Sequence, residues 1–196
     1  MFKAAKEKVE AGINFTKKTI VLMSVWGLIF SLVTITKLGV AFDYDDTLVN
    51  SSPAFARAFE KTTQPFTPQF WSIVNNSYEL EKPKFVALSL AWAFRIFGFK
   101  VAIITARPNV EGEALQKEWR RLAPRAFYFA GDKENKHVEL QRGNYVLYFG
   151  DSDSDIAQAR KAKVYGVRVK RSPKSTYKEE YHPGTLGELV IPLSEY

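Results

Sequence analysis

Three short apolar runs occur along the chain, and each is followed directly by polar residues. The runs lie at 38–42, 101–104 and 145–149. Continuous apolar runs of this length are typical of strands that are buried on both faces, as in parallel sheets. A short, mostly apolar segment at 164–169 predicts a further strand.

Apolar residues recur at helical spacing between these runs. The pattern predicts helices at 84–97, 110–122 and 155–163. Gly98 is expected to end the first helix, Asn109 to cap the second and Ser154 to begin the third. Strands that alternate with helices predict an α/β fold with a doubly wound, mainly parallel, Rossmann-like sheet.

The first apolar run opens into the sequence DYDDT at 43–47. Residues i and i+2 of a strand face the same way, so Asp43 and Asp45 can project together from the strand's carboxyl end, where open α/β sheets bind ligands. Two carboxylates so placed suit a covalent mechanism in which one attacks and the other transfers a proton. A solvated acidic turn is the alternative interpretation.

Polar groups of other kinds follow the other two runs. The second run ends in TARP at 105–108 and the third in GDSDSD at 150–155, with GDKENK at 131–136 between them. A hydroxyl and an ammonium group can hold the oxygens of a phosphoryl group, and clustered carboxylates need a cation to coexist. The four elements in this order are far more specific than any one of them.

With these motifs the chain resembles the haloacid dehalogenase superfamily of phosphohydrolases and, more closely, the class B, non-specific acid phosphatases of bacteria. The resemblance runs from about residue 39 to residue 196. It includes SSP at 51–53, FW at 70–71, FAGDK at 129–133, STYK at 175–178 and SEY at 194–196. It implies hydrolysis of phosphomonoesters, such as nucleotides, through an aspartyl-phosphate, and in some relatives transfer of the phosphoryl group to another alcohol.

The resemblance also implies a role for each motif residue. Asp43 is the expected nucleophile, and Asp45 is the expected acid that protonates the leaving alcohol and then activates water. Thr105 and the backbone N–H of Ala106 are expected to bind phosphoryl oxygens. Lys136 is expected to neutralise charge on the phosphoryl group and on Asp43.

Mg²⁺ is the expected metal, because all-oxygen ligation with bound waters suits this ion. The resemblance implies that its ligands are Asp43, Asp151 and the backbone carbonyl of Asp45. Asp155 completes this acidic group and is expected to lie behind the ligands.

Three assignments have an alternative. Lys133 competes with Lys136 for the catalytic role, although the spacing within the family favours Lys136. Arg107 is expected either to contact the substrate phosphate as a bidentate donor or to form a salt bridge within its loop. Ala106 stands where relatives usually carry glycine, so its methyl group could crowd the phosphate.

Residues 50–84 are expected to form a small, mostly helical cap over the site, because the segment is too long for a simple connection. The resemblance implies that aromatic residues line an apolar pocket for the leaving group: Phe55, Trp71 and, from the C-terminal segment, Tyr177. Such walls would grip a nucleoside or aryl group by stacking. The alternative is that the aromatic residues simply form the core of the cap.

The distribution of charge argues against a nucleic-acid partner. The chain of 196 residues has a net charge of +7, and +4 of it comes from the six lysines and two glutamates of residues 1–37. No basic stripe with interleaved aromatic residues appears elsewhere in the sequence. Small phosphomonoesters are therefore the expected partners, and the family resemblance suggests a homo-oligomer. The chain has no cysteine, which excludes disulfides and thiol chemistry.

Residues 19–36 are uncharged and about as long as the shortest membrane-spanning helix, and lysines precede them. No A-x-A cleavage site lies before the first strand. The expected organisation is a basic and hydrophobic segment at 1–37 that anchors a phosphatase domain at 38–196 on the outer, periplasmic face. The alternative is an apolar helix that packs against the domain or in an oligomer interface of a cytoplasmic enzyme.

Two other function classes share part of the pattern. A phospho-accepting regulatory domain also clusters acidic residues, a hydroxyl and a lysine on a doubly wound sheet, but it needs neither Asp45 nor a cap. A catalytically silent relative would not need an intact set of Asp43, Asp45, Thr105 and Asp151. Both remain alternatives to the phosphatase.

The anchor predicts that the protein stays in the membrane pellet after an alkaline carbonate wash. A spanning helix is held by its apolar surface, which this treatment does not weaken. Fractionation followed by immunoblotting measures the result, and release into the supernatant would favour the cytoplasmic alternative.

Overall fold

The structure, a computed structural model, describes residues 2–176 and 179–196. The chain divides into two compact units, Met1–Lys37 and Leu38–Tyr196. The described part of the first unit is a single helix, α1 (Phe2–Thr36), which is much longer than the predicted apolar segment at 19–36.

The second half of α1 is strongly apolar. Among the described residues, one helical segment, Gly12–Thr36, is long and apolar enough to cross a membrane, with a mean hydropathy of 2.1 over its most apolar 18 residues. A signal sequence near an N-terminus would have the same length and composition. The threonine hydroxyls of this segment donate to backbone carbonyls one turn earlier, so the helix itself satisfies these polar groups. They belong to Thr16, Thr19, Thr34 and Thr36.

The second unit is built on a parallel sheet. Its strands are β1 (Gly39–Phe42), β2 (Val49–Asn50), β3 (Lys82–Pro83), β4 (Lys100–Thr105), β5 (Phe127–Phe129), β6 (Tyr145–Gly150), β7 (Tyr165–Arg168) and β8 (Leu189–Val190). Six of them form a sheet in the order β5-β4-β1-β6-β7-β8, with every neighbouring pair parallel. The remaining two, β2 and β3, pair antiparallel as a separate ribbon.

Six helices complete the described part of this unit. They are α2 (Ser52–Lys61), α3 (Pro68–Asn75), α4 (Phe85–Ile96), α5 (Glu113–Glu118), α6 (Lys136–Arg142) and α7 (Asp153–Lys161). Short 3₁₀ turns occur at Tyr78–Leu80, Trp119–Arg121 and Lys133–Asn135. The predicted α/β fold with a Rossmann-like parallel sheet and an N-terminal apolar helix is confirmed.

The three apolar runs form the centre of the sheet; those of β1 and β4 are buried throughout, whereas in β6 Val146 is exposed and Leu147 half-buried. Every residue of β1 is buried, and this strand lies between β4 and β6. The rings of Phe42 and Phe149 stack across the β1–β6 pair with centroids 4.5 Å apart. The chain moves to one side of β1 with β4 and β5 and to the other with β6, which makes β1 the switch point where such sheets bind ligands.

The helix predicted at 110–122 is shorter than expected. It begins at Glu113, after Gly112, and gives way to a 3₁₀ turn at Trp119–Arg121, so Asn109 is not its cap. A backbone angle and a pair of hydrogen bonds explain the late start. Glu111 has a positive φ of 51°, and the side-chain amide of Asn75 donates to the carbonyls of the preceding loop.

The start of α7 was predicted two residues too late. Ser152, not Ser154, is the cap: its hydroxyl accepts from the Asp155 backbone N–H, and the Asp155 carboxylate accepts from the Ser152 backbone N–H. This reciprocal pair is a capping box. The predicted end of α4 is confirmed, since Gly98 follows it with a φ of +88°.

The segment at 50–84 contains two helices, α2 and α3, joined by an aromatic cluster. Phe70 and Val74 of α3 are buried against Ala58 of α2, and Phe55 and Trp71 pack on them. Thr67 caps α3 by accepting from the Phe70 backbone N–H, and Pro68 occupies its first turn. The ribbon of β2 and β3 closes the base of this segment, a feature that its sequence did not indicate.

Candidate active site

Three carboxylates meet at the carboxyl-terminal edge of the sheet. Asp43 follows β1, and Asp151 and Asp155 follow β6, its neighbour. One oxygen of each carboxylate lies within 4.8 Å of the other two, and all three residues are buried. The ladder between the strands continues to this point, because the Asp43 backbone N–H donates to the Phe149 carbonyl at 2.7 Å.

Lys136, the first residue of α6, reaches into this acidic group. Its Nζ donates to Asp43 Oδ1 at 2.6 Å and to Asp155 Oδ1 at 2.7 Å, with its side chain 5% exposed. Lys133, the alternative in the sequence, has a side chain that is 49% exposed and pairs with Glu179. The geometry therefore places Lys136, and not Lys133, on the expected nucleophile.

Burial of so much negative charge changes the proton affinity of the carboxylates. Burial raises the pKa of Asp43 well above its usual value, although the attraction of Lys136 opposes it. Burial, together with repulsion from Asp155, raises the pKa of Asp151 to about 7. Burial also acts on Asp155, but Lys136 and the hydrogen bonds from Ser152 outweigh it and lower the pKa of Asp155. The cations beside Asp43 and Asp151 thus do not offset the effect of burial on their pKa values, whereas those contacts that Asp155 receives do.

The oxygens of Asp43 and Asp151 fit a hard cation. Thr47 Oγ1 lies 3.2 Å from Asp43 Oδ2 and 3.4 Å from Asp151 Oδ1, so one hydroxyl proton faces two carboxylate oxygens. The remaining Asp151 oxygen accepts from Arg171 Nε. A buried set of carboxylate oxygens with raised pKa values suits Mg²⁺, which prefers oxygen ligands.

Asp155 is engaged within the protein on both of its oxygens. Oδ1 accepts from Lys136 and from the Tyr148 hydroxyl at 2.9 Å, and Oδ2 accepts from the backbone N–H and hydroxyl of Ser152. A Cβ on Gly150 would lie 2.3 Å from the Asp155 Cβ, so only glycine permits this close approach. Because both of its oxygens are already bonded, Asp155 fits the role of orienting Lys136 better than the role of a metal ligand.

The backbone of Asp151 is held from behind by Arg168, which is completely buried. Its Nη1 donates to the Asp151 carbonyl at 2.7 Å, while Nε and Nη2 bond to Glu188 and Asp153, each at 2.8 Å. All three nitrogens of the guanidinium therefore serve to fix the loop that follows β6.

Asp45 lies beside the end of β4. Thr105 Oγ1 donates to Asp45 Oδ2 at 3.1 Å, and Arg107 Nε lies 3.1 Å from both Asp45 oxygens. Arg107 Nη2 donates to Asp45 Oδ1 at 2.6 Å and also pairs with Glu81. Arg107 forms salt bridges, but not within its own loop as one alternative expected: both partners, Asp45 and Glu81, come from other segments.

A cavity of about 260 Å³ opens beside Asp45 and contains most of the predicted substrate-binding residues. Asp45, Phe55, Trp71, Ala106 and Arg107 line it together with Phe66, Gly131, Asp132 and Lys133. A larger cavity of about 670 Å³ shares Phe55, Phe66 and Lys133. Tyr177, also predicted to contact the leaving group, lies outside the described residues.

Curated relatives match most of the chain. A class B acid phosphatase from Klebsiella pneumoniae is 38% identical over 175 residues, which cover 81% of this chain and 73% of the relative. The class B acid phosphatase of Citrobacter rodentium is 37% identical, and that of Salmonella typhi 36%, with the same coverage. The chain belongs to the class B acid phosphatase family.

The resemblance inferred from the motifs is thus confirmed, and this class B acid phosphatase is a phosphoric monoester hydrolase. No protein-family model matches the chain. Two solved structures share its fold: one assigned as a β-phosphoglucomutase from Thermotoga maritima and one described as a dehalogenase. The first has a TM-score of 0.55 at 17% identity and covers 80% of this chain and 94% of its own. The second has a TM-score of 0.52 at 15% identity and covers 82% and 95%.

Three buried polar residues of this acid phosphatase had no signal in the sequence. The Tyr44 hydroxyl donates to Glu81, whose other oxygen accepts from Arg107. Lys84 Nζ donates to the backbone carbonyls of Asp46 and Lys170, and burial lowers its pKa to about 8. A lone glutamate or lysine in a polar segment looks like a solvated charge, so only the folded arrangement reveals these contacts.

Replacing Glu81 with glutamine should change stability in a pH-dependent way. Burial, opposed by Arg107, raises the Glu81 pKa from 4.5 to about 7, so the folded protein keeps a proton that the unfolded chain releases. The stability of the wild type should therefore fall, relative to Glu81→Gln, as the pH rises from about 4.5 to 7. Thermal unfolding followed by circular dichroism between pH 4.5 and 8 measures the difference, and a constant difference would contradict the raised pKa.

Proposed function

We propose that this class B acid phosphatase hydrolyses phosphomonoesters in a Mg²⁺-dependent reaction that passes through an aspartyl-phosphate on Asp43. One observation carries the proposal: the Asp43 carboxylate lies buried between Lys136 and Asp151 at the carboxyl ends of neighbouring parallel strands. Burial keeps water from competing for the carboxylate, and Lys136 holds it in one orientation. A nucleophile of this kind needs both conditions.

The metal would be held by the side chains of Asp43 and Asp151 and by the backbone carbonyl of Asp45. When bound, Mg²⁺ would offset the repulsion between the carboxylates and the substrate phosphate. Asp155 contributes by fixing Lys136, with which it shares a hydrogen bond of 2.7 Å.

The reaction divides into two displacements at phosphorus. In the first, an Asp43 carboxylate oxygen forms a bond to phosphorus, the bond from phosphorus to the leaving oxygen breaks, and Asp45 gives that oxygen a proton. In the second, Asp45 takes a proton from a water molecule whose oxygen attacks the aspartyl-phosphate and releases Asp43. An alcohol in place of this water would give phosphotransfer.

The phosphoryl oxygens would be bound by Lys136, the Thr105 hydroxyl and the Ala106 backbone N–H. Thr105 supports this role because it ends β4, next to β1, and lies 3.1 Å from Asp45. Ala106 lines the cavity beside Asp45, so its methyl group would narrow the space available to the leaving group. Arg107 would contribute its charge from behind Asp45.

The leaving group would lie in the cavity beside Asp45. Phe55 and Trp71 line it, with ring centroids 5.9 Å apart and the planes at 85°, and Tyr177 would join them. Aromatic walls bind flat groups without strict demands on their identity. Nucleotides and aryl phosphates are therefore the proposed substrates.

The N-terminal unit would anchor the enzyme in a membrane with the phosphatase unit on the outer face. Support comes from the apolar segment Gly12–Thr36, the internally bonded threonine hydroxyls and the lysines that precede the segment. The periplasmic location that is usual in the family agrees with this orientation. The proposed partners are small phosphomonoesters and other copies of the chain.

Asp43→Asn should abolish turnover of p-nitrophenyl phosphate while the fold survives, because an amide cannot form the acyl phosphate. Wild-type turnover should also be lost in EDTA and return with Mg²⁺. Circular dichroism checks the fold of the variant, and the shift in melting temperature on adding Mg²⁺ reports metal binding without reference to activity. Full turnover by Asp43→Asn, or by the wild type in EDTA, would contradict the mechanism.

Asp45→Asn should slow an alkyl phosphate much more than an aryl phosphate. General acid catalysis contributes roughly 10²–10⁴-fold, and phenolates leave with less help than alkoxides. Steady-state kinetics with glycerol 2-phosphate and p-nitrophenyl phosphate give the two kcat values. An equal loss on both esters would show that Asp45 is not the acid.

A further inference from the structure

We propose that Glu81 is a positioning residue that sets the orientation of Asp45 through Arg107. The inference rests on the proposed function, in which Asp45 is the proton donor. Arg107 Nη2 carries two protons, and it bonds to Asp45 Oδ1 at 2.6 Å and to Glu81 Oε1. Because the two bonds share one planar nitrogen, the position of Glu81 constrains the direction from which Arg107 meets Asp45.

Aromatic rings hold the guanidinium plane but leave its rotation within that plane to its hydrogen-bond partners. Arg107 Cζ lies 4.9 Å from the ring centroid of Tyr44 and 5.4 Å from that of Phe55, and the residue is 1% exposed. Stacking against rings defines the plane of a guanidinium without fixing the angle within it. Glu81 and Asp45 are the two carboxylates that fix this angle.

Glu81 is itself held by the loop that carries the catalytic residues. Its Oε2 accepts from the hydroxyl of Tyr44, which stands between Asp43 and Asp45 in the chain. The contacts thus form a closed circuit from Tyr44 to Glu81, to Arg107, to Asp45 and back along the backbone. A displacement of Glu81 would change both the Tyr44 and the Arg107 ends of this circuit.

A purely stabilising role does not require a carboxylate at this position. Buried ion pairs are often no more stabilising than apolar side chains of similar volume, because removing the charges from water is costly. Glu81 is buried, and Arg107 already has Asp45 as a partner for its charge. The second carboxylate therefore contributes chiefly to the direction of the guanidinium.

The test compares an alkyl ester with an aryl ester in Glu81→Ala. We expect kcat for glycerol 2-phosphate to fall roughly tenfold or more, with a much smaller loss on p-nitrophenyl phosphate, because a misplaced acid affects poor leaving groups most. At pH 5, Glu81→Gln should restore the ratio of kcat for glycerol 2-phosphate to kcat for p-nitrophenyl phosphate toward that of the wild type. The side-chain amide oxygen of glutamine can still accept a hydrogen bond from Arg107.

Glu79→Ala is the matched control, because Glu79 lies two residues away, is exposed and pairs with Arg57. It should leave the ratio unchanged. If Glu81→Ala does not fold, Tyr44→Phe replaces it as the test. This variant keeps the ring beside Arg107 but loses the hydrogen bond to Glu81. The ratio should then fall at least twofold.

The result separates this inference from the proposed function. A wild-type enzyme without turnover of either ester would overturn the proposed function. If the wild type is active but Glu81→Ala loses kcat equally on both esters, the positioning role alone is overturned. If Glu81→Ala does not fold, a folded Tyr44→Phe variant with an unchanged ratio overturns it instead.

Discussion

The attraction between Lys136 and the buried carboxylates of Asp43 and Asp155 is the interaction on which the site depends. Three carboxylates at the end of two adjacent strands repel one another, and burial strengthens that repulsion. Lys136 offsets part of it through hydrogen bonds to Asp43 and Asp155. Together with the hydrogen bonds from Ser152 it lowers the pKa of Asp155, whereas burial keeps the pKa values of Asp43 and Asp151 raised, a repulsion that a bound cation would relieve.

Much of the fold and of the site could be predicted because both follow from local rules. A strand buried on both faces must be apolar throughout, so the runs that form β1 and β4 could be recognised in the sequence, and the apolar run of β6 was recognised in the same way although its first half is partly exposed. The polar residues directly after such strands must lie at one edge of the sheet. For this reason the sequence alone predicts that Asp43, Thr105 and Asp151 lie near one another.

The parts that could not be predicted depend on contacts between residues distant in the chain. Asn109 was expected to cap a helix, but the amide of Asn75 binds the loop beside it and delays the helix to Glu113. The sequence left two roles open for Arg107. Its pairing with Asp45 and Glu81 depends on how the segment at 50–84 folds against the end of the sheet. Neither contact has a spacing or a composition that marks it.

The loop after β4 joins the wall of the cavity beside Asp45, the proposed site of the leaving group, to Asp45 itself, the proposed acid. Asn75 lies four residues after Trp71 in α3 and donates to the carbonyls of Pro108 and Val110. Arg107, in the same loop, donates to Asp45. The residues that shape the cavity and the residue that orients Asp45 are therefore held by the same loop. During evolution, a substitution that reshapes the cavity would also disturb proton delivery, so new specificities would arise together with compensating changes in this loop.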